Sequence, residues 1–338
     1  MNFLIVRLGA LGDIVHTVPA VAALRRAYPD ARIDWVVDGR HAGFAELVTC
    51  VDRIVTLSKA TVSAWVDLVR QLRPHRYDVA LDFQGLMKSA VIARASGARR
   101  VVGFSIWHLR EKAARPFYSE VDASEHPAHV IQKNLSLLST LGVSATKVEF
   151  PLARTASAAL DLVRQDLDRR AGQSGFALIN PGAAWPNKRW PAARYGEVAA
   201  FLRDVRGLAP YVLWGPGEAP LAQEVIDASA GAARLAPPTT TADLVELSRE
   251  AALIVSGDTG PLHIAAAVAT PIVAIFGPTD PDRNGPWAPE DLVISRFGTC
   301  SCRYERRCHE VAWCLEDVQV AEVAAAIQQR LGSVTERT

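Results

Sequence analysis

Short apolar runs recur along the chain, each followed by a helical stretch with apolar residues on one face. Phe3–Val6, Ile33–Val37, Arg53–Thr56, Val79–Leu81 and Arg100–Val102 read as strands in the first half. Helical periodicity falls near 17–28, 61–73, 86–96 and 126–141. The second half repeats the theme, with strands at Phe176–Ile179, Tyr211–Leu213, Leu253–Val255 and Pro271–Phe276. Its helices are expected near 191–205, 218–230, 241–250, 261–269 and Glu316–Leu331. Runs that are continuously apolar suit strands buried on both faces, and their alternation with helices predicts an α/β class with parallel sheets. A polar amphipathic helix with Leu160, Leu162, Val163 and Leu167 is expected to lead into Ala171-Gly172-Gln173-Ser174-Gly175 and marks the expected division. The pattern thus predicts two Rossmann-like domains, 1–155 and 175–315, joined by a linker over 156–174 and facing each other across a cleft.

Two junctions between strand and helix carry candidate chemistry. After Phe3–Val6 comes Arg7-Leu8-Gly9-Ala10-Leu11-Gly12-Asp13, which puts a carboxylate just beyond the carboxyl end of a strand. Ligands bind there in open α/β sheets. The Gly-x-x-Gly spacing is neither a dinucleotide fingerprint nor a P-loop. After Leu253–Val255 comes Ser256-Gly257-Asp258-Thr259-Gly260-Pro261-Leu262-His263. A glycine turn opening a helix directs unpaired N–H groups at one spot, which suits an anion. The bland alternatives are helix capping by Asp13, and by Asp258 or Thr259.

Composition narrows the class. With 338 residues and a formal charge of +1, the chain has room for two cores and gives no general argument for nucleic acid. The N-terminal apolar run is too short for a signal peptide, and Thr259–Thr279, although uncharged, is cut by Gly and Pro. A cytoplasmic location is expected. Of five cysteines, Cys300, Cys302, Cys308 and Cys314 fall within fifteen residues, with His309 adjacent. Their spacing differs from the common paired zinc pattern, so buried or idle thiols are expected, with a metal or iron–sulfur site as the alternative.

Six segments taken in order resemble glycosyltransferase family 9, the ADP-heptose:lipopolysaccharide heptosyltransferases, of the heptosyltransferase I type. They are Leu8–Asp13, Asp82–Ser89, Lys188–Pro191, Trp214–Glu218, Asp258–His263 and Phe276–Thr279. The resemblance implies a GT-B fold, with donor sugar on the second domain, acceptor on the first, and a final helix over 316–331 packing back on the first domain. It implies inverting transfer of heptose from ADP-L-glycero-D-manno-heptose to the Kdo or inner-core region of lipopolysaccharide. The acceptor would be Kdo-lipid A or inner-core lipopolysaccharide, met in peripheral contact with the cytoplasmic face of the inner membrane.

Chemistry and resemblance give the same roles. Asp13 is the expected general base, made more basic by partial burial. Lys188 and the N–H groups of Thr259 and Gly260 would stabilise the departing diphosphate without a metal or other cofactor. Asp258 would accept bonds from sugar hydroxyls, Glu218 from the ribose, and His263 would touch sugar or phosphate. Gly12, Ala183 and Ala184 complete the expected donor set, the alanines standing where first-heptose enzymes carry hydroxyl residues. Asp82, Gln84, Lys88, Arg110 and His129 are expected at the acceptor, although Asp82 could equally cap the next helix. Beyond Thr56 only Lys59 represents a more basic stretch of the first-heptose enzymes. Other readings keep the fold and change the sugar or acceptor, as in second-heptose transfer, or make the chain a two-domain ligand-binding protein.

Overall fold

The computed structural model describes residues 1–58, 61–122, 129–170 and 172–335, with side chains to residue 332. Lys59 lies outside the described residues. The chain divides into two compact units, Met1–Arg154 and Thr155–Thr338.

The first unit holds six strands, β1 (Asn2–Val6), β2 (Arg32–Asp38), β3 (Arg53–Leu57), β4 (Val79–Asp82), β5 (Arg100–Phe104) and β6 (Glu120–Asp122). They pair in the order β3-β2-β1-β4-β5-β6, and every pairing is parallel. Phe3, Leu4, Ile5 and Val6 are fully buried, as a central strand covered on both faces requires. The order reverses between β1 and β4. Loops leaving these two strands at their carboxyl ends diverge to opposite faces and leave room for a ligand.

The second unit repeats the arrangement with β7 (Gly175–Asn180), β8 (Leu208–Val212), β9 (Arg234–Leu235), β10 (Leu253–Gly257), β11 (Ile272–Phe276) and β12 (Leu292–Ser295). Its order is β12-β11-β10-β7-β8-β9, again all parallel, with the reversal between β7 and β10. Trp190, Tyr195, Val198 and Leu202 pack against this sheet.

One expectation is corrected. The expected amphipathic helix spans Ala158–Leu167 and is capped by Ser157, but the stretch is integral to the second unit and not a linker. Ser157 Oγ donates to Asp243 at 2.6 Å, Thr155 N donates to Glu246 at 3.0 Å, and Leu160 and Val163 are buried. The final helix, Val320–Thr335, belongs to the second unit. Val323, Ile327 and Leu331 bury their stripe in the second core, and Arg330 pairs with Asp291 at 2.9 Å. Trp190 Nε1 and Arg194 Nη1 both donate to Val318 O, at 3.1 and 2.6 Å, which fixes the approach to the helix. No helix of the described residues is long and apolar enough to cross a membrane.

Candidate active site

In the first unit, the β1 loop carries Asp13 at the strand reversal. Gly9 is needed for packing, because a Cβ there would lie 2.8 Å from the His41 ring. The chain then enters the short helix Leu11–Val15, with Ala10 N donating to Asp13 Oδ2 at 3.1 Å. Arg7 Nη2 pairs with Asp13 Oδ1 at 2.7 Å, and the Asp13 side chain is 37% exposed. The carboxylate is therefore oriented by a guanidinium and remains partly open to solvent. Arg7 is itself buried and also donates to Phe83 O in the β4 loop. Burial depresses His41 below the usual histidine value, while its attraction to Asp38 and Asp13 opposes the shift. Sequence reading missed both Arg7 and His41.

The β4 loop separates the expected acceptor residues. Gln84 Oε1 accepts from Leu8 N at 2.8 Å, which ties the two loops together at the reversal. Lys88 stands exposed in the first turn of the helix Met87–Ala95. Asp82 is a correction. Its side chain is fully buried and accepts from Tyr118 Oη (2.7 Å), Ser89 Oγ (2.8 Å), and the N–H groups of Gln84 (2.8 Å) and Gly85 (3.2 Å). Burial pushes its carboxyl up despite these donors. Asp82 builds the loop and has no surface left for an acceptor. Arg110 is exposed, whereas His129 is half-buried and caps the helix Val130–Ser136, its Nδ1 accepting from Ile131 N at 3.2 Å. The His129 ring lies 5.9 Å from that of His16.

In the second unit, β7 and β10 end side by side, and their loops bring Lys188 and Asp258 together. Asn180 Nδ2 donates to Ser256 Oγ at 3.0 Å and Thr259 Oγ1 at 2.9 Å, joining the two strand ends. Lys188 Nζ bonds Asp258 Oδ2 at 2.5 Å, the side chains being 15% and 6% exposed. Thr279 Oγ1 donates to the same oxygen at 2.7 Å. The other oxygen takes Asn284 Nδ2 at 2.7 Å and His263 Nε2 at 3.2 Å. Burial would raise the Asp258 pKa, but the His263 hydrogen bond and the Lys188 charge outweigh it and hold the carboxyl well below the ordinary range. With four partners, Asp258 orients Lys188 instead of offering free lone pairs to a sugar. The Lys188 ammonium also lies 4.5 Å above the Trp185 ring.

Beside this pair begins the helix Gly260–Ala267. Thr259 is its extended N-cap and makes no side-chain cap bond, so the first-turn amides keep their anion-binding capacity. Ala183 is buried and its carbonyl accepts from Arg189 Nε and Nη2 at 2.9 and 2.8 Å, while Ala184 is exposed. Glu218 accepts from Gly215 N at 3.0 Å, and its carboxylate fills the space where a side chain on Gly182 would stand. Gly12 belongs to the first unit, beside Asp13. Thr279, Asn284 and Asn180 were missed because their partners are remote in sequence, and Trp185 was missed although Lys188 is only three positions on. Among the described residues, no three His, Cys, Asp or Glu side chains form a group that could hold a metal ion.

Residues 65–313 match the family model for glycosyltransferase family 9 (heptosyltransferase). The chain belongs to this family. It is 28% identical over 309 residues to lipopolysaccharide heptosyltransferase 1 of Escherichia coli K12, covering 87% of this chain and 93% of that protein. The enzyme of the same name from Pseudomonas aeruginosa PAO1 is 26% identical over 321 residues, covering 91% and 87%. Among solved structures, E. coli heptosyltransferase WaaC with ADP-2-deoxy-2-fluoro heptose matches with a TM-score of 0.73, 22% identity and full coverage of both chains. Membership makes the protein a glycosyltransferase of the heptosyltransferase type, built on the two-lobed parallel α/β fold of its relatives.

Proposed function

We propose that the enzyme transfers heptose from ADP-L-glycero-D-manno-heptose to the Kdo or inner-core region of lipopolysaccharide, with inversion and without a metal. The observation that carries the donor half is the buried Lys188–Asp258 pair beside an uncapped helix N-terminus at the reversal of the second sheet. An ammonium and first-turn amides at one place suit a diphosphate, whose negative charge grows as the sugar departs. The solved WaaC complex with an ADP-heptose analogue supports this donor.

Inversion in one displacement requires a base for the acceptor hydroxyl and no protein nucleophile. Asp13, oriented by Arg7 and still partly exposed, is that base. Lys188 and the amides at Thr259 and Gly260 stabilise ADP as it leaves, while Glu218 binds the ribose and His263 adjoins the sugar or phosphate. Gly12 and Ala184 contribute close backbone approach. Gln84, Lys88, Arg110 and His129 receive the anionic acceptor, with cations matched to carboxylate and phosphate. The lipid acceptor places the enzyme at the cytoplasmic face of the inner membrane.

The test is a donor and acceptor screen read by mass spectrometry. ADP-heptose with Kdo-lipid A should give a product heavier by one heptose residue. Transfer only to an already heptosylated acceptor would replace the acceptor assignment with second-heptose transfer. Transfer from a different nucleotide sugar would overturn the donor.

A further inference from the structure

None of the four clustered cysteines is among the residues assigned to transfer above, and their surroundings divide them into unlike pairs. Cys302 and Cys308 have their sulfurs 3.2 Å apart, with neither in a disulfide. Cys302 is buried, and its Sγ accepts from His309 N at 3.3 Å. That N–H, with the neighbouring Cys308, lowers the Cys302 thiol below its usual value. Cys308 is half-exposed and supplies the point of entry by access and not by acidity, since burial and the neighbouring Cys302 raise its thiol. Cys314 lies apart from this pair: it packs against Gly277, and burial with a hydrogen bond to Cys300 pushes its thiol up to about 12. A thiol so raised stays protonated and inert.

The five residues between Cys302 and Cys308 make contacts that support the donor loops. Tyr304 N donates to Pro278 O at 2.7 Å, next to Thr279, which bonds Asp258. Glu305 O accepts from Asn187 Nδ2 at 3.0 Å, adjacent to Lys188. The Arg306 guanidinium lies 6.0 Å from the Trp185 ring on which Lys188 rests. Closing a bond between the two sulfurs would turn this segment into a short ring held against both loops.

We propose that Cys302 and Cys308 form a reversible dithiol–disulfide couple, oxidised by a low-molecular-weight disulfide, that sets the rigidity of the donor site. The Cys308 thiolate attacks the external disulfide, giving a mixed disulfide and one released thiolate. Cys302 then attacks Cys308 Sγ, forms the internal bond and expels the second small thiolate. The two protons lost by the cysteines go to the two released thiolates. One external disulfide is reduced to two thiols while one protein disulfide forms. The effect on donor binding rests on the donor-site reading above, but the thiol chemistry does not.

The experiment equilibrates the purified enzyme in a series of oxidised to reduced glutathione ratios, followed by alkylation and peptide mapping. ADP binding to the fully reduced and fully oxidised forms is measured by calorimetry. The expected result is a Cys302–Cys308 link that dithiothreitol reverses, with ADP bound about threefold more tightly when oxidised, since the ring pre-forms the supporting segment. Cys308→Ser and Cys302→Ser should each abolish both effects while retaining basal transfer. Persistently free thiols, mixed disulfides alone, a Cys300–Cys314 link, or a metal held by these cysteines in the purified protein would overturn the couple. A disulfide that leaves ADP affinity unchanged would overturn its action on the site. If the reduced enzyme fails to bind ADP at all, the donor-site reading fails, and the peptide map still decides the thiol chemistry.

Discussion

Replacing Lys188 with Met removes the ammonium from a carboxylate that stays buried. Breaking a buried ion pair by deleting one partner costs about 3–5 kcal/mol, because a charge is left without its counter-ion. Asp258 retains hydrogen bonds from Thr279, Asn284 and His263, and the lysine end is 15% exposed, so the cost belongs at the lower end, about 3 kcal/mol. A domain of this size loses roughly 2–4 °C of Tm per kcal/mol, which predicts a fall of about 6–12 °C in the second unit. Adding Asp258→Asn removes the orphaned charge and should recover about half of the loss. Differential scanning calorimetry of wild type, both single variants and the double variant closes the cycle. A fall of less than about 2 °C for Lys188→Met, or strict additivity in the double variant, would refute the view that the two side chains act as one unit.

Three further outcomes follow from the same geometry. Transfer measured with excess EDTA should match the rate in magnesium, since Lys188 and helix amides serve the diphosphate; a strict magnesium requirement would remove that account. The depressed Asp258 pKa means its contribution to stability is complete above the ordinary aspartate value near 4 and is lost as pH falls below it. Wild type should therefore lose more Tm than Asp258→Asn between pH 5 and pH 3, and parallel losses would contradict the pairing. Asp82→Ala strands the buried hydroxyls of Tyr118 and Ser89 and should cost about 2–4 kcal/mol in denaturant unfolding of the first unit. An unchanged midpoint with a raised acceptor KM would return Asp82 to the acceptor site.

The central strands were legible because burial on both faces demands unbroken apolar runs, as in Phe3–Val6 and Ile272–Phe276. The strands that went unread, β6, β9 and β12, are short and lie at sheet edges, where half-exposed residues such as Arg234 and Val293 leave no such run. The loops carrying Asp13 and Asp258 were also readable, since glycine turns between strand and helix are local signals, whereas Lys188 came in with the family resemblance. Saturation of a carboxylate is not local. Asp82 is closed off by Tyr118, 36 positions away, and Asp258 by Thr279 and Asn284, 21 and 26 away. The stripe Val323, Ile327 and Leu331 announced an apolar helix face but not which core would receive it.

The claim that matters most is that Asp13 removes the acceptor proton. Steady-state transfer by Asp13→Ala, with ADP affinity measured on the same preparation, tests it most directly. The account predicts a loss of kcat of more than ~100-fold with ADP affinity within about twofold of wild type. Turnover close to wild type in a folded variant would contradict it.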